Sequence, residues 1–119
     1  MANSAFKIPP IPTTEKKPSR LIPKSCFTTD DTEETTCRFY EQDDGMVASG
    51  VWECAPCKVD IEKYPVNEMM TIIAGALTLT NSEGVEETFV PGEVVFVSKG
   101  SKMTWHITER LSKYYMTSK

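Results

Sequence analysis

Glu68 is the only ionisable residue between Pro65 and Ser82, and it sits in the alternating run Val66-Asn67-Glu68-Met69-Met70-Thr71-Ile72. Strand side chains point to opposite faces at period two, so Glu68 shares a face with Val66, Met70 and Ile72. An ionised carboxylate in such company is costly. Three arrangements relieve the cost: ligation of a metal, pairing with a base such as Lys113, Arg110 or Lys63, or a raised pKa that suits general acid or base work. The same alternation aligns Gly50, Trp52 and Cys54 on one neighbouring row, and Met103, Trp105 and Ile107 on another. Trp52, Tyr64, Glu68, Met70, Met103 and Trp105 are therefore the candidate ligand-binding residues, with Glu68 and Lys113 as candidate catalytic groups. The two indoles read either as core or as pocket wall suited to a flat or cationic ligand. Met70 and Met103 supply adaptable lining.

A first-row metal site needs several His, Cys or carboxylate ligands in one cluster. His106 is the sole histidine. Its parity is opposite to that of Trp105, which directs it away from the pocket row. Cys54-Ala-Pro-Cys57 has the spacing of a redox or zinc motif, but it falls in a turn between strand-like runs rather than at a helix N-terminus, and reads as packing at a hairpin end. A hard-ion site from Glu62 and Glu68 is the remaining metal arrangement. The expectation is no metal and no cofactor.

The elements that position these groups are short strands separated by turn residues. They fall at 37–42, 46–54, 58–63, 66–73, 76–80, 85–90, 93–97, 102–108 and 110–117. Asp43-Asp44-Gly45, Ala74-Gly75, Asn81-Ser82-Glu83-Gly84 and Pro91-Gly92 supply the Gly, Pro and Asn that turns require. Residues 28–36 read as a solvated turn or a short capped helical turn. Five of the eight prolines lie in residues 1–23, which makes residues 1–25 an extended arm ahead of a single domain at 26–119. Its apolar residues, Phe6, Ile8, Ile11, Leu21 and Ile22, predict docking on a barrel face or on a partner subunit. The fold class is all-β, an antiparallel sandwich or barrel of jelly-roll type.

From Gly50 to Tyr115 the landmarks resemble the small single-domain cupins related to (S)-ureidoglycine aminohydrolase. Glu68 and Gly75 match the end of the first cupin motif, and Pro91-Gly92-Glu93 to Gly100 matches the second. Gly100 is followed five residues later by Trp105, and Trp52 precedes the first motif. The resemblance implies a double-stranded β-helix, and in metal-binding members histidines before the Glu and after the second Gly. Those places hold Ile61, Glu62, Lys63 and Tyr64 in one case and Met103 in the other. Thr71 stands where the family often has His, and Glu93 where Asp is common. The reading is a metal-poor cupin barrel that binds a small organic ligand. The alternative is an enzyme of the ureidoglycine aminohydrolase type acting on a small nitrogenous metabolite, with Glu68 as acid/base or metal ligand and Lys113 or Tyr64 assisting.

A chain of 119 residues has room for one core. No apolar run of membrane-spanning length and no signal peptide is apparent, so a cytoplasmic protein without membrane contact is expected. Residues 1–25 carry five bases against one acid, and residues 26–119 carry sixteen acids against eight bases. An acidic body repels phosphates, which argues against nucleic acid as a partner. The expected partners are a small molecule and a second copy in a homodimer.

Overall fold

The computed structural model describes residues 5–10 and 16–119. Eight strands form one continuous antiparallel sheet: β1 (Lys17–Pro18), β2 (Glu34–Glu41), β3 (Val47–Cys54), β4 (Cys57–Ile61), β5 (Asn67–Asn81), β6 (Glu86–Phe89), β7 (Val94–Val97) and β8 (Met103–Ser118). No α-helix occurs among the described residues. Along the sheet the order is β1-β2-β3-β8-β5-β6, while β4 pairs with β8 and β7 with β5.

The architecture follows from two long strands. The first part of β5 pairs with β7 and with the last part of β8, which continues into β3. The second part of β5 pairs with β6 and with the first part of β8, whose other side takes β4. Two half-sheets thus share one bent strand pair, and their inner faces meet in a core of Met70, Ile72, Leu77, Ile107 and Leu111. This is the all-β antiparallel class expected from the turn spacing.

The segmentation differs in two ways. Residues 66–73 and 76–80 are one strand, and so are 102–108 and 110–117. The Ala74-Gly75 turn signal marks register shifts in β5 between Ile72 and Leu77 instead of a chain reversal. Gly75 has φ 84°, and a Cβ there would strike the Arg110 carbonyl oxygen of the neighbouring strand. A bulge that needs glycine twice over, for conformation and for space, bends the strand so that it serves both halves.

The second difference is at residues 28–36. Glu34 begins a strand and is buried. Its carboxylate accepts from the Leu21 and Ile22 amides at 3.1 and 3.0 Å, from the Trp52 indole at 3.0 Å and from the Ser19 hydroxyl. The β-branched pair Thr35-Thr36 is the local signal for the strand. Around this carboxylate the described part of the arm lies on the sheet: Lys17 and Pro18 pair with Thr36 and Thr35, Lys16 meets Glu53 at 2.9 Å, and the Tyr114 hydroxyl donates to the Ile8 carbonyl. Residues 1–4 and 11–15, including Ile11 and Pro12, lie outside the described residues.

Replacing Glu34 removes the acceptor of a buried indole and of two amides. Hydrogen bonds to a charged group contribute about 1.5–3 kcal/mol, and an orphaned buried donor adds to the loss. Glu34→Ala is expected to lower the unfolding free energy by about 2–4 kcal/mol in urea titrations, and to render residues 1–23 sensitive to protease. A deletion of residues 1–23 lowers the melting temperature for the same reason.

Candidate functional site

Inward alternation on β3, β5 and β8 converges on one buried ion pair. Lys113 is aligned with Trp52 on one side and Ile72 on the other. Its side chain runs along the interior past Met70, with Nζ 3.8 Å from the thioether sulfur, and reaches Glu68 Oε2 at 2.5 Å. The other oxygen, Oε1, accepts from the Tyr64 hydroxyl at 2.5 Å. Glu68 and Lys113 are 6 % and 5 % exposed. Of the three bases that sequence leaves open for Glu68, the fold selects Lys113. Arg110 instead meets Asp31 and Glu33 at the surface.

Aromatic groups complete the surroundings of the ammonium. Nζ lies 4.8 Å from the ring centroid of Trp52 and 4.8 Å from that of Trp105. The two indoles meet edge to face at 6.3 Å, and Tyr64 stacks on Trp105 at 6.1 Å. The negative faces of the rings supply attraction that water would otherwise give the cation. Gly50, aligned with Tyr115, is required first by the Cys37 backbone carbonyl, which a Cβ there would strike, and then by the Tyr115 hydroxyl, which would lie 2.9 Å from it. Burial, and then the adjacent Glu68 carboxylate, push the Tyr64 phenol far above its ordinary value of 10. It therefore serves as a neutral donor. The Trp52 indole N–H is taken by Glu34, whereas Trp105 Nε1 is buried and has no hydrogen-bond partner among the described residues.

Trp52, Tyr64, Glu68, Met70, Trp105 and Lys113 are thus gathered in one cluster. Met103 shares the parity of Trp105 but sits at the start of β8, farther from Lys113 and aligned with Ile61 and Asn81. There it packs against the edge of the core and lines a cleft of about 390 Å³ with Asp60, Glu62 and Lys102. A larger cleft of about 580 Å³ lies between the arm and β2, and neither cleft is lined by Glu68 or Lys113. His106 is aligned with Lys58 and Thr78, off the inward row. Cys54 and Cys57 are fully buried and adjacent to each other. That contact raises the Cys54 pKa and lowers that of Cys57. Glu34 is the residue that sequence reasoning misses, since the acidic stretch around it reads as a solvated turn.

The donor set does not fit a metal. Both oxygens of Glu68 are engaged by Tyr64 and Lys113, Glu62 points to solvent beside Lys102, and no three His, Cys, Asp or Glu side chains converge among the described residues.

An antiparallel barrel of two half-sheets around a motif glutamate defines the cupin class. The EutQ-like cupin domain family matches residues 41–115, and the chain belongs to that family. The fold is similar to that of a DUF861-family protein of unknown function from Pseudomonas syringae pv. tomato, with TM-score 0.80 and 21% identity over 93% of this chain. The match spans 46% of that protein, so this chain corresponds to less than half of its length. It is also similar to the Clostridium difficile EutQ protein, with TM-score 0.62 and 20% identity over 73% of this chain and 68% of that one. The putative ethanolamine utilization protein Q of Salmonella typhimurium gives 0.63 and 15%, over 90% and 98% of the two chains. The comparison with curated proteins finds no match.

Removing one member of a buried pair strands the other charge, at a cost of about 3–5 kcal/mol. Lys113→Met is expected to destabilise on that scale, and Glu68→Gln with Lys113→Met together to cost less than the sum of the single changes in a double-mutant cycle. The Tyr64 phenol gives a pH dependence of definite sign. Its pKa is raised in the fold, so its contribution is full below pH 10 and is lost as pH rises above that ordinary value. Unfolding free energy falls on the alkaline side of 10, and Tyr64→Phe flattens that limb.

Proposed function

We propose that the protein is a metal-independent binding cupin in which the Lys113 ammonium takes the place that a metal cation holds on the motif glutamate of related barrels. Its ligand is a small organic acid or carbonyl compound. The observation that carries this reading is the buried Trp105 N–H, without a hydrogen-bond partner among the described residues, on a ring whose centroid lies 4.8 Å from the Lys113 ammonium. A ligand oxygen reaching that donor, which neither cleft borders, has to part the aromatic groups around it; it would satisfy the donor and recover the roughly 1–3 kcal/mol that an orphaned buried donor costs, and the adjacent ammonium favours an oxygen that carries negative charge. Tyr64 and Glu68 hold the ammonium in position, and the indole faces suit a flat ligand.

The enzymatic alternative, acid/base chemistry on a small nitrogenous metabolite in the manner of the ureidoglycine aminohydrolase relatives, is favoured by the unbroken chain from the Tyr64 hydroxyl through Glu68 to Lys113. It ranks second because relatives with that chemistry hold a metal, and the donor set here does not fit one. The buried, reduced thiols of Cys54 and Cys57 support a reducing compartment, the cytoplasm, and we take the working unit to be a homodimer.

Tryptophan fluorescence titrated with a panel of short-chain carboxylates and keto acids tests the reading. Saturable quenching is expected in the native protein, abolished in Lys113→Met and weakened about tenfold in Trp105→Phe, the equivalent of one hydrogen bond. Elemental analysis should find far less than one transition metal per chain. No saturable response across the panel, or a stoichiometric metal lost in Glu68→Ala, overturns it.

A further inference from the structure

The cleft of about 580 Å³ beside β2 is lined on one side by a stretch of the arm that is held at both ends and in the middle. β1 is two residues long, and past Pro18 the chain leaves the sheet. The Ser19 amide donates to the Glu34 carbonyl at 2.9 Å, and the Leu21 and Ile22 amides donate to the Glu34 carboxylate. After a 3-10 turn at Lys24–Cys26, Phe27 rejoins the sheet against Cys57, and the Thr28 amide donates to the Pro56 carbonyl at 3.1 Å. Backbone groups do the fastening, so the charged side chains of this stretch are not used to hold it.

Arg20 and Lys24 both line the cleft, both are exposed, and neither meets an acid among the described residues. The third base there, Lys16, is engaged by Glu53 at 2.9 Å. Of the two acids in the lining, Glu33 is held by Arg110, and Glu34 by the Ser19, Leu21, Ile22 and Trp52 donors. Three bases against two acids leave the lining at +1. The cleft beside Met103, with Asp60 and Glu62 against Lys102, has the opposite sign. A basic arm on an acidic body would be expected to spend its bases on that body, yet two remain free beside a concavity, where they attract an anion. Ile22 and Phe27 supply an apolar wall, half-buried and packed against the core. The Thr32 and Thr35 hydroxyls in the lining have no hydrogen-bond partner among the described residues.

We propose that this cleft binds a small amphipathic carboxylate, with its apolar body on Ile22 and Phe27 and its carboxylate taken by Arg20 and Lys24. The volume falls within the roughly 300–1,000 Å³ of small-molecule pockets. The planar fork of Arg20 matches two carboxylate oxygens. Charge selects a carboxylate over a phosphate ester, because a lining at +1 balances one negative charge and the Glu34 carboxylate opposes a second. The fastened backbone reduces what must be ordered on binding. The site is separate from the interior one and does not rest on it, since neither Lys113 nor Glu68 lines the cleft.

Backbone amide shifts in two-dimensional NMR spectra, titrated with phenylacetate, test the proposal and report where in the chain the acid lands. Saturable shifts are expected at Ser19, Thr32 and Thr35. Replacing both bases, Arg20→Gln with Lys24→Gln, should raise the dissociation constant by roughly tenfold or more through loss of charge-assisted hydrogen bonds. Both side chains are exposed, so the melting temperature of the double variant should match that of the native protein. Lys17→Gln removes an exposed base of the same arm that does not line the cleft, and should leave the titration unchanged. Phenylacetamide, the neutral isostere, should bind about tenfold more weakly, and phenyl phosphate no more tightly than the acid. Absence of saturable shifts at the three amides up to about 10 mM acid overturns the proposal. So does equal binding by the double variant or by phenylacetamide, equal weakening by Lys17→Gln, or a preference for phenyl phosphate. Shifts confined to the Trp105 indole and its neighbours would belong to the interior site, and would overturn the cleft while leaving that reading intact.

Discussion

The Lys113–Glu68 pair constrains everything around it. Two opposite charges in a protein interior gain from each other less than they lose from water unless further groups repay the difference. Here repayment comes from each direction: Tyr64 donates to the second carboxylate oxygen, and Trp52 and Trp105 present their faces to the ammonium. Remove the pair and these aromatic positions lose their reason. The pair also explains how a cupin barrel keeps its motif glutamate without the imidazoles that accompany it in metal-binding relatives, since an amine on the adjoining strand provides the positive charge.

A second carboxylate extends this centre to the surface. Trp52 faces Lys113 with its ring and donates its N–H to Glu34, which also takes the amides of Leu21 and Ile22. One indole thus joins the interior cation to the segment ahead of β2. The order of contacts is ammonium, ring, carboxylate, arm. Each contact satisfies the next, which is how a small barrel accommodates buried polar groups without leaving most of them unpaired.

Bending β5 at Gly75 and pairing it with an equally long β8 divides each strand between two half-sheets. It also divides the side chains. Inward positions carry the ion pair and the aromatic groups, and outward positions on the larger half carry Phe96, Met69 and Met116. The exposed row from Phe96 through Met69 to Met116 is uncharged, while the core holds an ion pair. In both places the arrangement is set by the same period-two alternation.

Much of the site was legible in the sequence because alternation is local. A lone carboxylate in the run from Val66 to Ile72, and Trp52 and Trp105 at inward parity on other strands, needed only strand geometry to be placed together. The turn residues were enough to define an antiparallel all-β class, and the motif spacing from Glu68 to Gly100 pointed to the cupin barrel. Tertiary structure decided the rest. Choosing Lys113 over Arg110 or Lys63 as the partner of Glu68 depends on the register between β5 and β8, and a pairing between residues so distant in sequence leaves no local trace. Glu34 reads as one more acid in a polar stretch until Ser19, Leu21, Ile22 and Trp52 are brought to it from elsewhere in the chain. Gly75 announces a change of backbone direction, but whether that change is a hairpin or a bulge is settled by the carbonyl of Arg110 standing where a side chain would be. Met103 has the right parity and the wrong height along the strand, because alternation determines a face and only the curvature of the sheet determines which residues on that face meet.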